Sequence, residues 1–199
     1  MIRKTNIIIL IIVLGASFIL TLWSDNLRLP VWMPSWVPGQ TEPAVAGRTA
    51  APDVKMVDMN GETIELSDYR GKVIAINFWA SWCAPCVVEF PDLIDLAEDK
   101  QDMLQMIFVS NDFKLENIDR FVSRLSDEHQ DYLKNGANID MILDKDMYIT
   151  SKVFGTFNLP ETYFIDTSGH TCKKIVGVLD FSAENIADIM SACQPQKKP

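Results

Sequence analysis

The stretch of sequence that decides the fold is residues 73–86, VIAINFWASWCAPC. Its first half, Val73–Trp79, is apolar almost throughout, which is typical of a central β-strand covered on both faces. Two cysteines three positions apart follow, Cys83 and Cys86, and an apolar stripe with helical spacing continues to about Lys100. The stretch therefore predicts a buried strand, a turn that carries the cysteines, and a helix.

The spacing of the two cysteines suits redox chemistry. Cysteines three apart can close a small disulfide ring, and the free N–H groups at a helix N-terminus stabilise a thiolate, the species that attacks disulfides. We expect Cys83 to be the exposed nucleophile, and Cys86, shielded by the sheet and by Pro85, to be the resolving thiol. A zinc site needs four ligands, and His129 and His170 stand apart from each other and from the pair, so neither a metal nor another cofactor is expected.

The elements around the cysteine pair predict an α/β sheet. The alternation of residues around Asn60-Gly61 predicts a β-hairpin over 54–66, before the central strand. The predicted strands cover residues 73–79, 106–110, 162–166 and 173–178, and the predicted helices cover residues 83–100, 116–125, 146–154 and 182–192. Residues 126–142 are polar and fit an inserted helix and loop. Strands that alternate with helices and end in an antiparallel pair predict a central mixed sheet flanked by helices, with an N-terminal hairpin extension.

The charge of the chain excludes one class of partner. The net charge is −9, and residues 51–199 alone hold 14 basic and 25 acidic side chains. Such an acidic domain repels phosphate backbones, so nucleic-acid binding is not expected. The acidic pairs Asp92/Asp95 and Asp144/Asp146 lack the ligand spacing and glycine turn of a calcium loop, and are predicted to lie on a solvated face.

Residues 1–23 predict a single transmembrane helix. Two basic residues precede an apolar run of seventeen residues, which at about 1.5 Å per residue reaches roughly 26 Å, the short end of a bilayer span. A cleaved signal peptide begins in the same way, but small residues do not follow the run directly, so an uncleaved signal-anchor is favoured. The proline-rich residues 24–50 are predicted to be a linker. The positive-inside rule then places the folded domain, residues 51–199, outside the cytoplasm.

Residues 78–86, FWASWCAPC, resemble the active-site segment of thioredoxin-fold oxidoreductases. Pro91 lies where thioredoxin-like helices carry a kinking proline, and Leu159–Pro160 resembles the loop whose cis-proline faces the cysteine pair. Glu89 matches the acidic residue of the membrane-anchored thiol reductases of cytochrome c maturation, the group that includes ResA, CcmG (DsbE) and TlpA. The resemblance covers roughly residues 50–194 and implies a thioredoxin-like fold.

The resemblance also implies roles for individual residues. Glu89 shares a helix face with Cys86 and is the candidate carboxylate to assist that thiol; the alternative is a solvated helix residue. Classical thioredoxins place a buried aspartate in the central strand, where this chain has Asn77, which cannot relay a proton. The substrate-binding residues that the resemblance implies beside the cysteine pair are Trp82, Pro85, Leu159 and Pro160.

The predicted function is that of a thiol:disulfide oxidoreductase, held by one span in the cytoplasmic membrane with its domain in the periplasm. The resemblance implies that it reduces disulfides of exported proteins such as apocytochrome c, and that a membrane thiol-electron donor resupplies it. Peroxiredoxins share the architecture, but Ala80 and Ile76 stand where they need a threonine or serine and a proline. The alternative function is a non-catalytic thioredoxin-like module that delivers copper or binds a partner.

A second pair of cysteines, Cys172 and Cys193, is separated by 21 positions. In an oxidising compartment the two could form a structural bridge between the last helix and the sheet, or they could remain free and buried. A catalytic role is not expected, because neither residue is predicted at a helix N-terminus.

Overall fold

The computed structural model describes residues 48–194. The predicted transmembrane helix, 1–23, and nearly all of the predicted linker lie outside the described residues. Among the helices within 48–194, none combines the length and the apolar character that a bilayer crossing requires.

A five-stranded mixed sheet forms the centre of the domain, in the order β5-β4-β3-β6-β7. Strands β3, β4 and β5 are parallel to one another, and β6 and β7 are antiparallel to their neighbours. The strands are β1 (Met56–Val57), β2 (Thr63–Ile64), β3 (Val73–Trp79), β4 (Leu104–Ser110), β5 (Ile139–Leu143), β6 (Glu161–Ile165) and β7 (Thr171–Val176). The helices are α1 (Ala84–Asp99), α2 (Leu115–Val122), α3 (Asp127–Asn135) and α4 (Ala183–Ala192), with a 3-10 turn over Leu66–Tyr69 and a π-helical turn over Tyr148–Val153.

Strand β3 is the centre of the sheet, and all seven of its residues are buried. On one face, Trp79 packs on Phe90 of α1 and Phe121 of α2, with ring centroids 4.4 and 5.0 Å apart. On the other face, Phe78 packs on Phe154 beside the π-helical turn. The near-continuous apolar run of β3 is thus explained by a strand that is covered on both faces. The predicted thioredoxin-like α/β fold is confirmed.

The hairpin extension is confirmed as well. Strands β1 and β2 pair antiparallel around a turn in which Gly61 has a φ of +84°, a conformation that favours glycine. The hairpin is a separate two-stranded sheet that contacts the edge strand β5, where the Met59 amide donates to the Met141 carbonyl at 2.9 Å.

Residues 126–142 contain a strand that the sequence did not predict. Helix α3 has no buried residue, and its N-terminus is capped by Ser126, whose hydroxyl accepts from the His129 amide. Strand β5 follows with one polar residue at its second position, Asp140, whose carboxylate accepts from Tyr69 Oη at 2.6 Å. Because this outer strand is mostly half-buried, it lacks the apolar run that marks β3 and β4.

The prediction that Asp144 lies on a solvated face is wrong. Asp144 is buried, and its carboxylate accepts from the amides of Ile149 and Thr150 at 3.2 and 2.8 Å. It therefore caps the turn that opens the π-helical segment, which replaces the predicted α-helix over 146–154. The other three members of the acidic pairs, Asp92, Asp95 and Asp146, are exposed as predicted.

The second cysteine pair forms a disulfide that fastens α4 to the sheet. Cys172 lies in β7 and Cys193 is the residue that follows α4, with Cα atoms 5.2 Å apart. Arg48 reinforces the same end of α4, since its guanidinium contacts Asp166 at 2.7 Å and donates to the Ala192 carbonyl at 2.7 Å. Of the two alternatives for this pair, the structure has the bridge.

Candidate active site

The redox pair lies where β3 ends and α1 begins. Cys83 is the N-cap of α1 and is joined to Cys86 by a disulfide, with Cα atoms 5.3 Å apart. The Cys86 amide also approaches Cys83 Sγ at 3.4 Å. Pro85 lies in the first turn, where the missing N–H of proline costs no helical hydrogen bond, because the first amides of a helix have no partner within it. The sequence prediction for this segment is confirmed to within a residue.

The expectation that Cys83 is exposed is wrong for the disulfide form. Cys83 is 7% exposed and Cys86 is 2% exposed, so the order is as expected but both sulfur-bearing residues are buried. The reason is that Cys83 turns toward Cys86 and joins the edge of the core cluster that contains Trp79 and Phe90. Trp82, at 62% exposed, presents its ring to solvent beside the pair.

A buried carboxylate that the sequence analysis did not identify holds the loop before Cys83. Asp112, which follows β4, is fully buried. One of its carboxylate oxygens accepts from the Ser81 amide at 2.9 Å and from Ser110 Oγ at 2.8 Å, and the other accepts from Ser81 Oγ at 2.8 Å. The signal in the sequence that could have identified Asp112 is the short segment Ser110-x-Asp112 at the carboxyl end of a predicted strand. In the structure that strand, β4, ends level with the end of β3. Asp112 therefore fixes the backbone two residues before the disulfide.

Glu89 lies inside the protein, not on a solvated helix face. It is 1% exposed, its Oε1 accepts from the Leu179 amide at 3.1 Å, and its Oε2 has no hydrogen-bond partner among the described residues. Burial raises the pKa of Glu89 to about 7; the Leu179 hydrogen bond opposes this shift and the nearby Asp92 charge adds to it. The solvated alternative is thus excluded, and a carboxyl group that titrates near neutrality lies one helical turn after Cys86.

The loop before β6 places Leu159 and Pro160 at the same end of the sheet as the redox pair. The Leu159-Pro160 peptide bond is cis, as the resemblance implied. The register of β6 against β3 pairs Glu161 with Phe78, so Pro160 lies level with the end of β3, from which the chain continues to Cys83. Leu159 is half-buried and packs against the apolar clusters on both faces of the sheet.

An ion pair between a buried carboxylate and a half-buried lysine, also not identified from the sequence, anchors this loop. Glu161 is 3% exposed, and its Oε1 contacts Lys174 Nζ at 2.8 Å and accepts from Thr156 Oγ1 at 2.8 Å. The two ends of the segment 156–161 are thereby joined directly. Ion pairs between strands leave no periodic signal in a sequence, because the partners lie on different strands of the sheet.

Asn77, in the strand position where classical thioredoxins have an aspartate, is buried and structural. Its Nδ2 donates to Thr162 Oγ1 of β6 at 2.9 Å. The amide therefore links the two central strands. Asn77 has no carboxyl group, so the buried carboxyl group that follows the cysteine pair in α1 is that of Glu89.

A disulfide at the N-cap of a helix, on a thioredoxin-like sheet and beside a cis-proline loop, defines a thiol:disulfide oxidoreductase. The chain belongs to the AhpC/TSA family, whose model matches residues 48–171, and within it to the group of ResA and DsbE. It is 30% identical over 145 residues to the thiol-disulfide oxidoreductase ResA of Bacillus subtilis, covering 73% of this chain and 74% of that protein. It is 31% identical over 159 residues to the thiol:disulfide interchange protein DsbE of Pseudomonas aeruginosa, covering 80% of this chain and 75% of that protein.

The solved structures agree on the fold. A crystal structure described as the thiol:disulfide interchange protein DsbE of Chlorobium tepidum matches with a TM-score of 0.61 at 24% identity, and covers 73% of this chain and 96% of that one. A solution structure described as a thioredoxin of Neisseria meningitidis matches with a TM-score of 0.58 at 29% identity, covering 71% of this chain and 88% of that one. The protein is therefore a thiol:disulfide oxidoreductase of the ResA and DsbE group.

Proposed function

We propose that the protein is a membrane-tethered, extracytoplasmic thiol:disulfide oxidoreductase that reduces disulfides of exported proteins, apocytochrome c among them. Residues 1–23 supply the anchor, residues 24–50 the linker and residues 51–199 the catalytic domain. The apolar run near the N-terminus, the basic residues before it and the kinship with ResA and DsbE support this arrangement. The observation that carries the proposal is the Cys83–Cys86 disulfide at the N-terminus of α1, with Glu89 buried behind it.

The reaction begins with the reduced form of the pair. The Cys83 thiolate, stabilised by the N-terminus of α1, attacks one sulfur of a substrate disulfide and forms a mixed disulfide. The other substrate sulfur leaves as a thiolate and takes up a proton from solvent. The Cys86 thiolate then attacks Cys83 Sγ, and the second substrate sulfur leaves. Two electrons have moved from the protein dithiol to the substrate, and the protein holds the disulfide seen in the structure.

Glu89 serves Cys86 in the second step. The Cys86 thiol must lose a proton before it attacks, and its burial disfavours the charged thiolate. Glu89 shares the helix face of Cys86 and has one oxygen without a hydrogen-bond partner among residues 48–194. A carboxylate with a pKa of about 7 is matched to accept a proton near neutral pH and to return it to solvent later.

Four residues hold the substrate around the sulfur that is attacked. Trp82 and Pro85 are exposed on one side of the disulfide. The Leu159 backbone, preceding β6 on the other side, offers strand-like pairing to an extended substrate segment, and Pro160 fixes the direction of that backbone. A membrane thiol-electron donor must then reduce the Cys83–Cys86 disulfide, because an oxidising compartment does not supply electrons.

The reduction potential of the Cys83/Cys86 couple tests the direction of electron flow. Equilibration of the purified protein with glutathione or dithiothreitol buffers should give a value near that of thioredoxin, about −270 mV. A value near that of the oxidant DsbA, about −120 mV, contradicts the reductase proposal. Stoichiometric copper on the purified protein, together with unchanged copper delivery by a Cys86→Ser variant, contradicts the reductase proposal and favours the copper-delivery module.

A further inference from the structure

A groove lies between the residues that flank the redox pair in sequence, Trp82 and Val87, and the neighbouring helix. It encloses about 520 Å³ between the loop before Cys83, the first turn of α1 and the outer face of α2 with the residues just after it. Its lining includes Trp82, Val87, Arg120, Phe121, Arg124 and Leu125, and this set is called the Arg120–Arg124 groove below. Phe121 is 7% exposed and Val87 and Leu125 are half-buried, so the floor is apolar while the arginines form a charged rim.

The two arginines carry charge that the described domain does not neutralise. Arg120 and Arg124 are exposed, and both line the groove, Arg120 from α2 and Arg124 from the turn that follows it. Among residues 48–194, no carboxylate oxygen lies within 4.0 Å of either guanidinium, and neither guanidinium donates a hydrogen bond. Arg48, by contrast, contacts the buried Asp166. In a domain with an excess of acidic residues, two unpaired arginines beside the redox pair are a local reversal of charge.

The sheet order places this groove opposite the Leu159–Pro160 loop. Helix α2 follows β4, which borders β3 on one side, whereas Leu159–Pro160 precedes β6, which borders β3 on the other side. A polypeptide that lies across Cys83 therefore meets the loop with one part of its backbone and reaches the groove with the other. The wall of the groove nearest Cys83 is held in place, because Asp112 binds both the amide and the hydroxyl of Ser81.

We propose that the Arg120–Arg124 groove binds the segment of the substrate polypeptide next to its attacked cysteine, and that it selects segments with an acidic side chain there. This inference rests on the proposed disulfide reduction and adds to it a preference among substrates. Trp82, the residue before Cys83, lines the groove, and an extended chain advances about 3.3 Å per residue. The acidic side chain is therefore expected two to four residues from the attacked cysteine, with an apolar neighbour on Phe121 and Leu125.

Paired synthetic peptides test the inference. Each peptide holds one intramolecular disulfide and has either Glu or Gln at a position two, three or four residues from a cysteine, on its N-terminal or C-terminal side. The second-order rate constant for reduction of each peptide is measured with the reduced full-length protein at low and at high ionic strength. At low salt we expect the best-placed Glu peptide to react about three- to tenfold faster than its Gln twin, since exposed ion pairs contribute modestly. The ratio should fall toward one at high salt.

Two double variants separate recognition from other effects of charge. Arg120→Gln with Arg124→Gln should reduce the Glu/Gln ratio to about one. Lys134→Gln with Lys145→Gln removes the same charge from two exposed lysines that do not line the groove, and should leave the ratio unchanged. Basic residues near a helix C-terminus also stabilise the helix. If the two arginines had that role alone, the arginine variant would have lower thermal stability and an unchanged Glu/Gln ratio.

Each remaining outcome has one meaning. A wild-type ratio near one at every peptide position overturns the inference, and so does a ratio that persists in the arginine variant or disappears in the lysine variant. Reduction of neither peptide by the wild-type protein contradicts the proposed function itself. Because the ratio is measured within one protein at a time, a general loss of activity in a variant does not imitate loss of selectivity.

Discussion

Substitution of Glu89 by Gln should remove a pH dependence from the stability of the oxidised protein. Glu89 is 1% exposed, and burial, opposed by the Leu179 hydrogen bond and reinforced by Asp92, raises its pKa to about 7. In the unfolded chain the same carboxyl group has its ordinary pKa of 4.5. Between these two values the folded protein binds more protons than the unfolded chain, so stability decreases as the pH rises. The contribution is fully present below pH 4.5 and is lost as the pH rises through about 7.

The two pKa values set the size of the effect. One pKa unit corresponds to about 1.4 kcal/mol, and integration of the linkage from pH 5 to pH 8 gives a loss of about 2.5 kcal/mol from this one group. Glutamine does not titrate, so Glu89→Gln should lack that loss. Other carboxyl groups whose pKa is raised, such as that of the half-buried Asp140, contribute equally to both proteins and cancel in the difference.

Urea unfolding of the disulfide form at pH 5, 6, 7 and 8 measures this effect. The matched control is Glu98→Gln, which changes an exposed residue of the same helix and should retain the wild-type pH dependence. If Glu89→Gln and Glu98→Gln lose stability equally between pH 5 and pH 8, Glu89 does not titrate as a buried acid, and its assignment as the proton acceptor of Cys86 is refuted.

Two further predictions concern the supports of the site. Replacement of Cys172 and Cys193 by Ser opens a loop of 21 residues and should lower the free energy of unfolding by about 3 kcal/mol. The rate of peptide disulfide reduction should stay within twofold of wild type. A large loss of that rate would show that this bridge takes part in the chemistry. Asp112→Asn and Asp166→Asn each disturb a buried carboxylate that accepts from a serine amide and hydroxyl, and each should destabilise the fold by about 1–3 kcal/mol. Only Asp112→Asn should also slow peptide disulfide reduction, because only Asp112 holds the loop before Cys83; equal rates in the two variants would contradict that positioning role.

The parts of the fold that the sequence predicted are those with a local signal. Strand β3 is marked by its apolar run, α1 by its apolar stripe, and α4 by the Ser182 cap, whose hydroxyl accepts from the Asn185 amide at 3.4 Å. Strand β5 lacked such a signal, because a short outer strand that contains Asp140 and follows a polar stretch resembles a polar loop. The prediction for Asp144 was wrong because the sequence alone does not distinguish an aspartate that caps a turn from one that faces solvent.

The residues of the site also differ in whether a local signal in the sequence identified them. Cys83 and Cys86 were identified from spacing alone, whereas Glu89 and the Leu159–Pro160 loop depended on resemblance to a family. Asp112 was missed, since its role depends on the pairing of Trp79 with Ser110 across two parallel strands. Contacts between distant segments determine such roles, and a single sequence does not reveal them.

The central claim is that Cys83 attacks and Cys86 resolves. Reduced Cys86→Ser and Cys83→Ser variants, mixed with a peptide disulfide and quenched with acid, can be compared by intact mass. We expect a stable mixed disulfide between Cys83 and the peptide in Cys86→Ser, and at most a trace in Cys83→Ser, whose remaining thiol is the more buried of the two in the disulfide form. Accumulation of the peptide adduct on Cys86 in Cys83→Ser, with none on Cys83 in Cys86→Ser, would contradict it.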